Sequence, residues 1–286
     1  MLFAAVSLLL LAPDAGTPAL LARPVALSAR KLEVLKKEGR ARYEGNAKAI
    51  RDTLTLTCDV LDVFLAPNGD VTRIVAKGNV VAIDRGSPPN GVAPEGFARE
   101  AHGDEAEFFN DTGVLIAKGN PWGRQGAREV DGEVVTFSTN TDVLTVTKAH
   151  TRVKEPRDKQ LAIDADLLTF EGAKNEAKWT GKVKAVKGKT TLLAPELTAI
   201  SDEKTGEVTR VKARGGVEVT EGDRWARGQF GDYDVPAGRL VVTGSPQAKD
   251  GRTKMKGTRV TFMTGTEYLE VENAVTLIDV DKKKVP

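Results

Sequence analysis

The sequence predicts an all-β protein, with sandwich, jelly-roll and solenoid architectures all compatible with it. Three observations support this class. Apolar and polar residues alternate with period two, turn signals separate the alternating runs, and the whole pattern occurs twice along the chain. Helical periodicity is almost absent after the N-terminal segment.

The alternation is clearest in "TRVKARGGVEVT", residues 209–220. Val211, Ala213, Val217 and Val219 fall on one face of this predicted strand, and charged residues fall on the other. The turn signals "PNGD", "NDTG", "KTGE" and "KDGR" lie between such runs. Short strands with one apolar face are therefore expected throughout.

The repeat is clearest between residues 101–121 and 226–246, whose glycines, prolines and aromatic residues match at an offset of 125. Upstream segments match at offsets of 136 and 137, and the offset changes fall in predicted loops. We therefore predict two tandem domains, 28–153 and 160–280. A short polar segment joins them, so the domains are expected to abut.

Composition excludes several classes of protein. The chain has 286 residues and a net charge of only +2 without a long basic block, which argues against nucleic-acid binding. Its single cysteine, Cys58, cannot form an internal disulfide. Cys58 shares one face of an alternating run with Leu54 and Leu56, so we expect it to be a buried apolar residue.

The N-terminal segment differs from the rest of the chain. An apolar run, residues 2–12, is followed by proline and small residues, which is typical of a secretory signal peptide. The run is too short to span a bilayer, and no lysine or arginine precedes it. We predict a signal peptide over residues 1–22 and therefore export.

Each repeat resembles the LptA/OstA-type domain of the lipopolysaccharide-transport system. The resemblance lies in an ordered set of motifs: "YEGN" or "WTGK", "AKGNV" or "ARGGV", "AKGNP" or "VTGSP", and "DGEVVTF" or "KGTRVTF". It implies tandem antiparallel β jelly-roll domains with an open groove, forming one extended twisted β structure in the periplasm. It also implies that the apolar interior holds the lipid A acyl chains of lipopolysaccharide. The double copy departs from the usual single domain.

The resemblance further implies partners. These are the jelly-roll components of the transport bridge at the inner and outer membranes, and a second copy of the chain stacked edge to edge. The groove-lining candidates are the uncharged inward positions of the two repeats. In the first repeat they are Ile74, Ala76, Val80, Ala82, Leu115, Ala117, Val135, Phe137, Leu144 and Val146. In the second repeat they are Val211, Ala213, Val217, Val219, Leu240, Val242, Val260, Phe262, Leu269 and Val271.

Periodicity alone fits a closed hydrophobic core equally well, and only the resemblance favours a groove. No catalytic or phosphate-binding motif is present, and the shared inward positions carry no carboxylate, so we predict no enzyme activity, cofactor or metal. His102 is expected on the solvated surface, and Trp179 in packing. The alternatives are a structural or polysaccharide-binding β-solenoid module of the envelope, and a membrane-tethered partner of the same transport system.

Overall fold

A computed structural model describes residues 25–51, 53–85, 98–154, 160–202, 207–263, 266 and 268–278. These residues form 22 β-strands of one sheet and two 3-10 turns, Lys36–Glu38 and Gly172–Lys174, with no α-helix in these ranges. Strand pairing is antiparallel throughout, for example between β3 (Arg40–Arg51) and β4 (Leu54–Leu65). The all-β prediction is confirmed. The predicted signal peptide lies outside the described residues.

The strands of the first repeat are β1 (Ala26–Ser28), β2 (Lys31–Leu35), β3 (Arg40–Arg51), β4 (Leu54–Leu65), β5 (Val71–Asp84), β6 (Arg99–Phe109), β7 (Val114–Lys118), β8 (Trp122–Gln125), β9 (Arg128–Asp131), β10 (Val134–Ser138) and β11 (Val143–Lys154). Those of the second are β12 (Gln160–Glu171), β13 (Glu176–Lys187), β14 (Thr190–Ser201), β15 (Val208–Glu221), β16 (Arg224–Asp234), β17 (Arg239–Thr243), β18 (Gln247–Asp250), β19 (Thr253–Lys256), β20 (Arg259–Met263), β21 (Leu269–Glu272) and β22 (Val275–Ile278).

The sheet divides lengthwise into two half-sheets because the pairing of most long strands shifts register near the middle. The pairing of β5 with β6, for instance, shifts between Lys77 and Val80. Half-sheet I contains β2, β7, β10, β17, β20, β21 and the long-strand segments aligned with them. Half-sheet II contains β1, β8, β9, β18, β19, β22 and the remaining segments. Apolar side chains from both half-sheets share one interior.

Pairs of consecutive left-handed residues produce these bends. In β13, Gly181 has φ 78° and Lys182 has φ 49°. Glycine adopts this conformation without steric cost. A Cβ on Gly181 would also stand 2.5 Å from Oδ2 of Asp166 on the neighbouring strand. Equivalent pairs are Gly45–Asn46, Gly78–Asn79, Gly119–Asn120, Gly215–Gly216 and Gly244–Ser245. The "GN", "GK", "GG" and "GS" motifs are therefore strand bends, in addition to the hairpin turns that the alternation predicts.

The two repeats are joined by an unbroken ladder. Strands β11 and β12 pair from Val143↔Glu171 to Lys154↔Gln160, so the last strand of one repeat and the first of the next are full-length neighbours. The larger hydrophobic cluster crosses this joint, from Phe108 to Phe262. The expected single extended β structure is confirmed.

We predict that Gly181→Ala lowers the free energy of unfolding by about 2–3 kcal/mol, because it adds a steric conflict to the cost of a left-handed alanine. Gly188→Ala, in the hairpin after the same strand, is the matched control. Gly188 has φ 59° and open space around it, so we expect its substitution to lower the free energy of unfolding by only about 1 kcal/mol. Urea denaturation measures both variants, and equal losses would show that the close approach at the bend is unimportant.

Candidate functional site

The groove-lining candidates lie on the inward faces of the two half-sheets. Almost all are buried, and Val146, Val242 and Val260 are fully so. Ile74, Val211, Leu269 and Val271 are partly buried and pack against the same cluster. The structure thus brings most of the candidates into one apolar cluster, whereas Ala76 and Val80 belong to a smaller cluster near the N-terminus. Whether lipid contacts them remains a prediction.

An apolar cleft opens between the half-sheets in the first repeat. Its cavity volume is about 60 Å³, and its walls come from β4, β5, β6 and β7. Among its lining residues are Leu54, Ala76, Ala82, Ala101, Phe108 and Ala117. The cleft separates the small N-terminal hydrophobic cluster, which contains Cys58 and Leu61, from the larger one. The first repeat therefore contains a narrow apolar opening between its half-sheets.

Around the joint and in the second repeat, the described interior contains fully buried side chains such as Trp179, Val242 and Val260. Tyr43 of the first repeat is only partly buried, whereas its match at an offset of 136, Trp179, is fully buried. Ala82 and Ala117 of the cleft correspond to the larger Val219 and Val242. These size differences explain why one repeated frame has a cleft in its first copy and a packed core in its second.

Trp179 also connects the half-sheets across the interior. Its Nε1 donates a hydrogen bond of 3.1 Å to Oγ1 of Thr151, and both side chains are buried. Trp179 belongs to half-sheet I and Thr151 to half-sheet II. The expectation that Trp179 serves packing is confirmed. A ligand moving from the first repeat into the second would have to displace this pair.

Several lining residues were absent from the predicted set. Leu54, Leu56 and Ala101 face the cleft from half-sheet II, and Phe108 faces it from half-sheet I. The sequence pattern could have identified the two leucines, because both share a strand face with Cys58. Cys58 is buried as expected, and burial raises the pKa of its thiol to about 11.

His102 lies in a polar cluster on the outer face and is less solvated than expected. Its ring stacks on Trp122 with centroids 4.0 Å apart, and its Nε2 lies 2.7 Å from Oε1 of Glu100. This hydrogen bond, followed by that from Arg124, lowers the pKa of the Glu100 carboxyl. The histidine is thus engaged in surface packing.

A second charged cluster covers the outer face of half-sheet I in the first repeat. The carboxylate of Asp62 is buried and accepts two hydrogen bonds from Arg42, of 2.7 and 2.8 Å, which lower its pKa. Val75 pairs with Asp62 across strands and is buried although it faces outward. The apolar Val75 on an otherwise polar face is therefore shielded by long charged side chains.

The inward face is not wholly free of carboxylates, which corrects the expectation from the sequence. Asp84 and Glu221 occupy matching positions of the two repeats, at the outer end of half-sheet II. Their places in the strand alternation are ones that face the interior. Asp84 accepts a hydrogen bond from Thr53, and Glu221 pairs with Arg224 at 3.0 Å. The alternation of apolar residues does not identify these two carboxylates, because they lie at the ends of the predicted strands, beyond the apolar run.

The described ranges contain no group of three or more His, Cys, Asp and Glu side chains arranged to hold a metal ion. Over the same residues, no helix has the length and apolarity needed to cross a membrane.

Comparison with known families supplies the deciding observation. The model of the family described as "LptA/(LptD N-terminal domain) LPS transport protein" matches residues 26–143 and 162–268, which together make up most of the chain. The chain belongs to the LptA/LptD N-terminal domain family. Its two matched segments correspond to two copies of the family domain, as the sequence repeat predicted.

Other members of this LPS-transport family include proteins of known structure. The solved chain of LptH, titled "the LptA homologous periplasmic component of the conserved lipopolysaccharide transport device from Pseudomonas aeruginosa", is 18% identical over 48% of this chain and 92% of its own, with a TM-score of 0.37. None of the curated proteins compared with the chain matches it.

We predict that Trp179→Phe and Thr151→Val each lower the free energy of unfolding by about 1–2 kcal/mol, because each leaves a buried polar group or a small void. The double variant should lose less free energy of unfolding than the sum of the two single losses, because both substitutions remove the same hydrogen bond. Thermal unfolding in a double-mutant cycle measures this coupling. Strict additivity would mean that the bond does not tie the half-sheets together.

Proposed function

We propose that the chain is a non-enzymatic carrier that binds the acyl chains of lipopolysaccharide between its half-sheets and passes the lipid toward the outer membrane. The observation that carries this proposal is the apolar cleft of the first repeat in a member of an LPS-transport family. Its cavity volume is about 60 Å³, smaller than the roughly 300–1,000 Å³ of small-molecule sites, so the half-sheets must move apart to admit a whole acyl chain.

The energetics of lipid transfer support a cleft of this kind. Each acyl CH₂ withdrawn from water contributes about 0.8 kcal/mol, so a chain of about twelve carbons gains roughly 10 kcal/mol. Passage through water is prohibitively slow without an apolar path. Residues such as Ala82, Ala101 and Ala117 leave room beside the strands, and Phe108 and Leu115 supply apolar contact area.

Both ends of the sheet support edge-to-edge assembly with similar domains. At the N-terminal edge, Leu32 and Val34 of β2 are exposed; at the C-terminal edge, Val275 and Leu277 of β22 are more than 60% exposed. Exposed strand edges with apolar side chains favour pairing with another chain. The ladder between β11 and β12 gives, within one chain, a model for such a joint.

We place this activity in the periplasm and keep 28–153 and 160–280 as the proposed bounds of the two units. The signal-peptide pattern of residues 1–22 and the periplasmic relative LptH support that location. The proposed partners are lipopolysaccharide, the jelly-roll components of the bridge at both membranes, and further copies of the chain.

We predict that a photo-crosslinking residue at position 117 captures lipopolysaccharide, because Ala117 lines the cleft. The matched control is position 118, since Lys118 is exposed on the other face of the same strand. Immunoblotting with an anti-lipid A antibody detects the product after irradiation. Equal capture at both positions would contradict binding inside the cleft.

We predict that Leu277→Lys reduces the light-scattering mass of concentrated protein, because it adds charge to an edge strand. Leu193→Lys is the control, since Leu193 is exposed on β14, in the interior of the sheet. A wild-type chain that stays monomeric at all concentrations, or equal effects of both substitutions, would contradict edge-to-edge stacking.

A further inference from the structure

A row of polar residues lines the outer end of half-sheet II on the face that looks into the interior. We call this set, one residue from each strand, the rim row. In the first repeat the row runs from Arg51 through Leu54, its one apolar member, to Asp84, Arg99, Gln125 and Arg128, each paired with the next across strands. Because Leu54 also lines the cleft, the cleft reaches this row.

The rim rows of the two repeats differ in charge. The first contains three basic residues, Arg51, Arg99 and Arg128, and one acidic residue, Asp84. The matching positions of the second repeat hold two basic and two acidic residues. They are Lys187, Glu221, Arg224 and Asp250, with Thr253 at the position of Arg128. The surplus of positive charge therefore lies in the repeat that contains the cleft.

Arg128 accounts for much of this difference. It is half-buried beside Val153, its cross-strand neighbour, which is 6% exposed. Burial lowers the pKa of its guanidinium, and within the described ranges no carboxylate pairs with it. An arginine remains charged even so, and a desolvated cation without a counter-ion is costly. Its neighbour Glu129 is engaged with Arg152 on the outer face instead.

Gln125 offers a second unused polar group at the same place. Its Oε1 is buried and accepts no hydrogen bond within the described part of the chain. It pairs directly with Arg128 across the β8–β9 hairpin. A buried acceptor beside a half-buried cation is an arrangement that a ligand with both negative charge and hydrogen-bond donors would satisfy.

We propose that Arg128 and Gln125 form an anchor for the phosphorylated sugar headgroup of an acylated glycolipid whose chains occupy the cleft of the first repeat. The inference rests on the proposed function and assigns a polar subsite to it. Arg128 binds a phosphate, and Gln125 accepts from a sugar hydroxyl or an amide N–H. Two strand spacings, about 10 Å, separate Arg128 from the β6 wall of the cleft, a distance that a disaccharide headgroup spans.

A diacyl phospholipid fits this pair less well. Phosphatidic acid offers a phosphate for Arg128, but it carries no hydroxyl or amide donor on its glycerol backbone for Gln125. The phosphorylated, amide-acylated glucosamine of lipid A offers both groups. The second repeat, with Asp250 and Thr253 at the matching positions, would repel the same phosphate.

The test is a titration of the full chain with bisphosphorylated lipid A, with the same lipid A after removal of its phosphates, and with phosphatidic acid. We expect Arg128→Gln to weaken binding of bisphosphorylated lipid A about tenfold and to leave binding of the dephosphorylated lipid unchanged. Arg128→Lys should retain most of the affinity. Gln125→Asp/Arg128→Thr, which copies the rim row of the second repeat, should abolish the preference for phosphate.

Arg214→Gln removes the same charge from an exposed outward position and should change none of these affinities. Equal binding of both forms of lipid A, unaffected by Arg128→Gln, would overturn the anchor while leaving the carrier function intact. Failure of the wild-type chain to bind any acylated probe would instead contradict the carrier function. Tighter binding of phosphatidic acid that depends on Arg128 would overturn the glycolipid assignment.

Discussion

The bend in each long strand is the constraint on which the rest of the structure depends. A strand of twelve residues would otherwise continue straight and leave one apolar face exposed. In β3, β5, β13 and β15, two successive residues in the left-handed region, such as Gly78 and Asn79, allow the strand to contribute to both half-sheets. Because the bends align from strand to strand, they create a shared interior along the whole length of the sheet.

What fills that interior depends on side-chain volume, and the repeats differ in this respect. Trp179 and its hydrogen bond to Thr151 close the space near the joint, whereas a set of alanines leaves the first repeat open. The same backbone frame therefore supports an apolar cleft at one end and a packed core at the other. Duplication of the domain, followed by different side-chain packing in the two copies, is sufficient to produce this difference.

The strand pattern, the repeat and the inward residues could be predicted from the sequence, because alternation with period two records which face is apolar. Val217 and Phe262 were located in this way and are buried. The bends could not be predicted, since a Gly–Asn pair is equally compatible with a tight turn. The restriction of the cleft to one repeat was also hidden, because it depends on side-chain volumes facing each other from strands distant in sequence.

The ladder between β11 and β12 has a consequence for any assembly of this chain. In a filament of single domains, every joint is held by non-covalent pairing and can separate. In a filament of this chain, every second joint would lie within one polypeptide, so dilution could not break it and its rotational phase would be fixed. Per unit length, such a filament loses half as much translational and rotational entropy on assembly. Covalent fusion would thus make such a filament more resistant to dissociation without strengthening any individual contact.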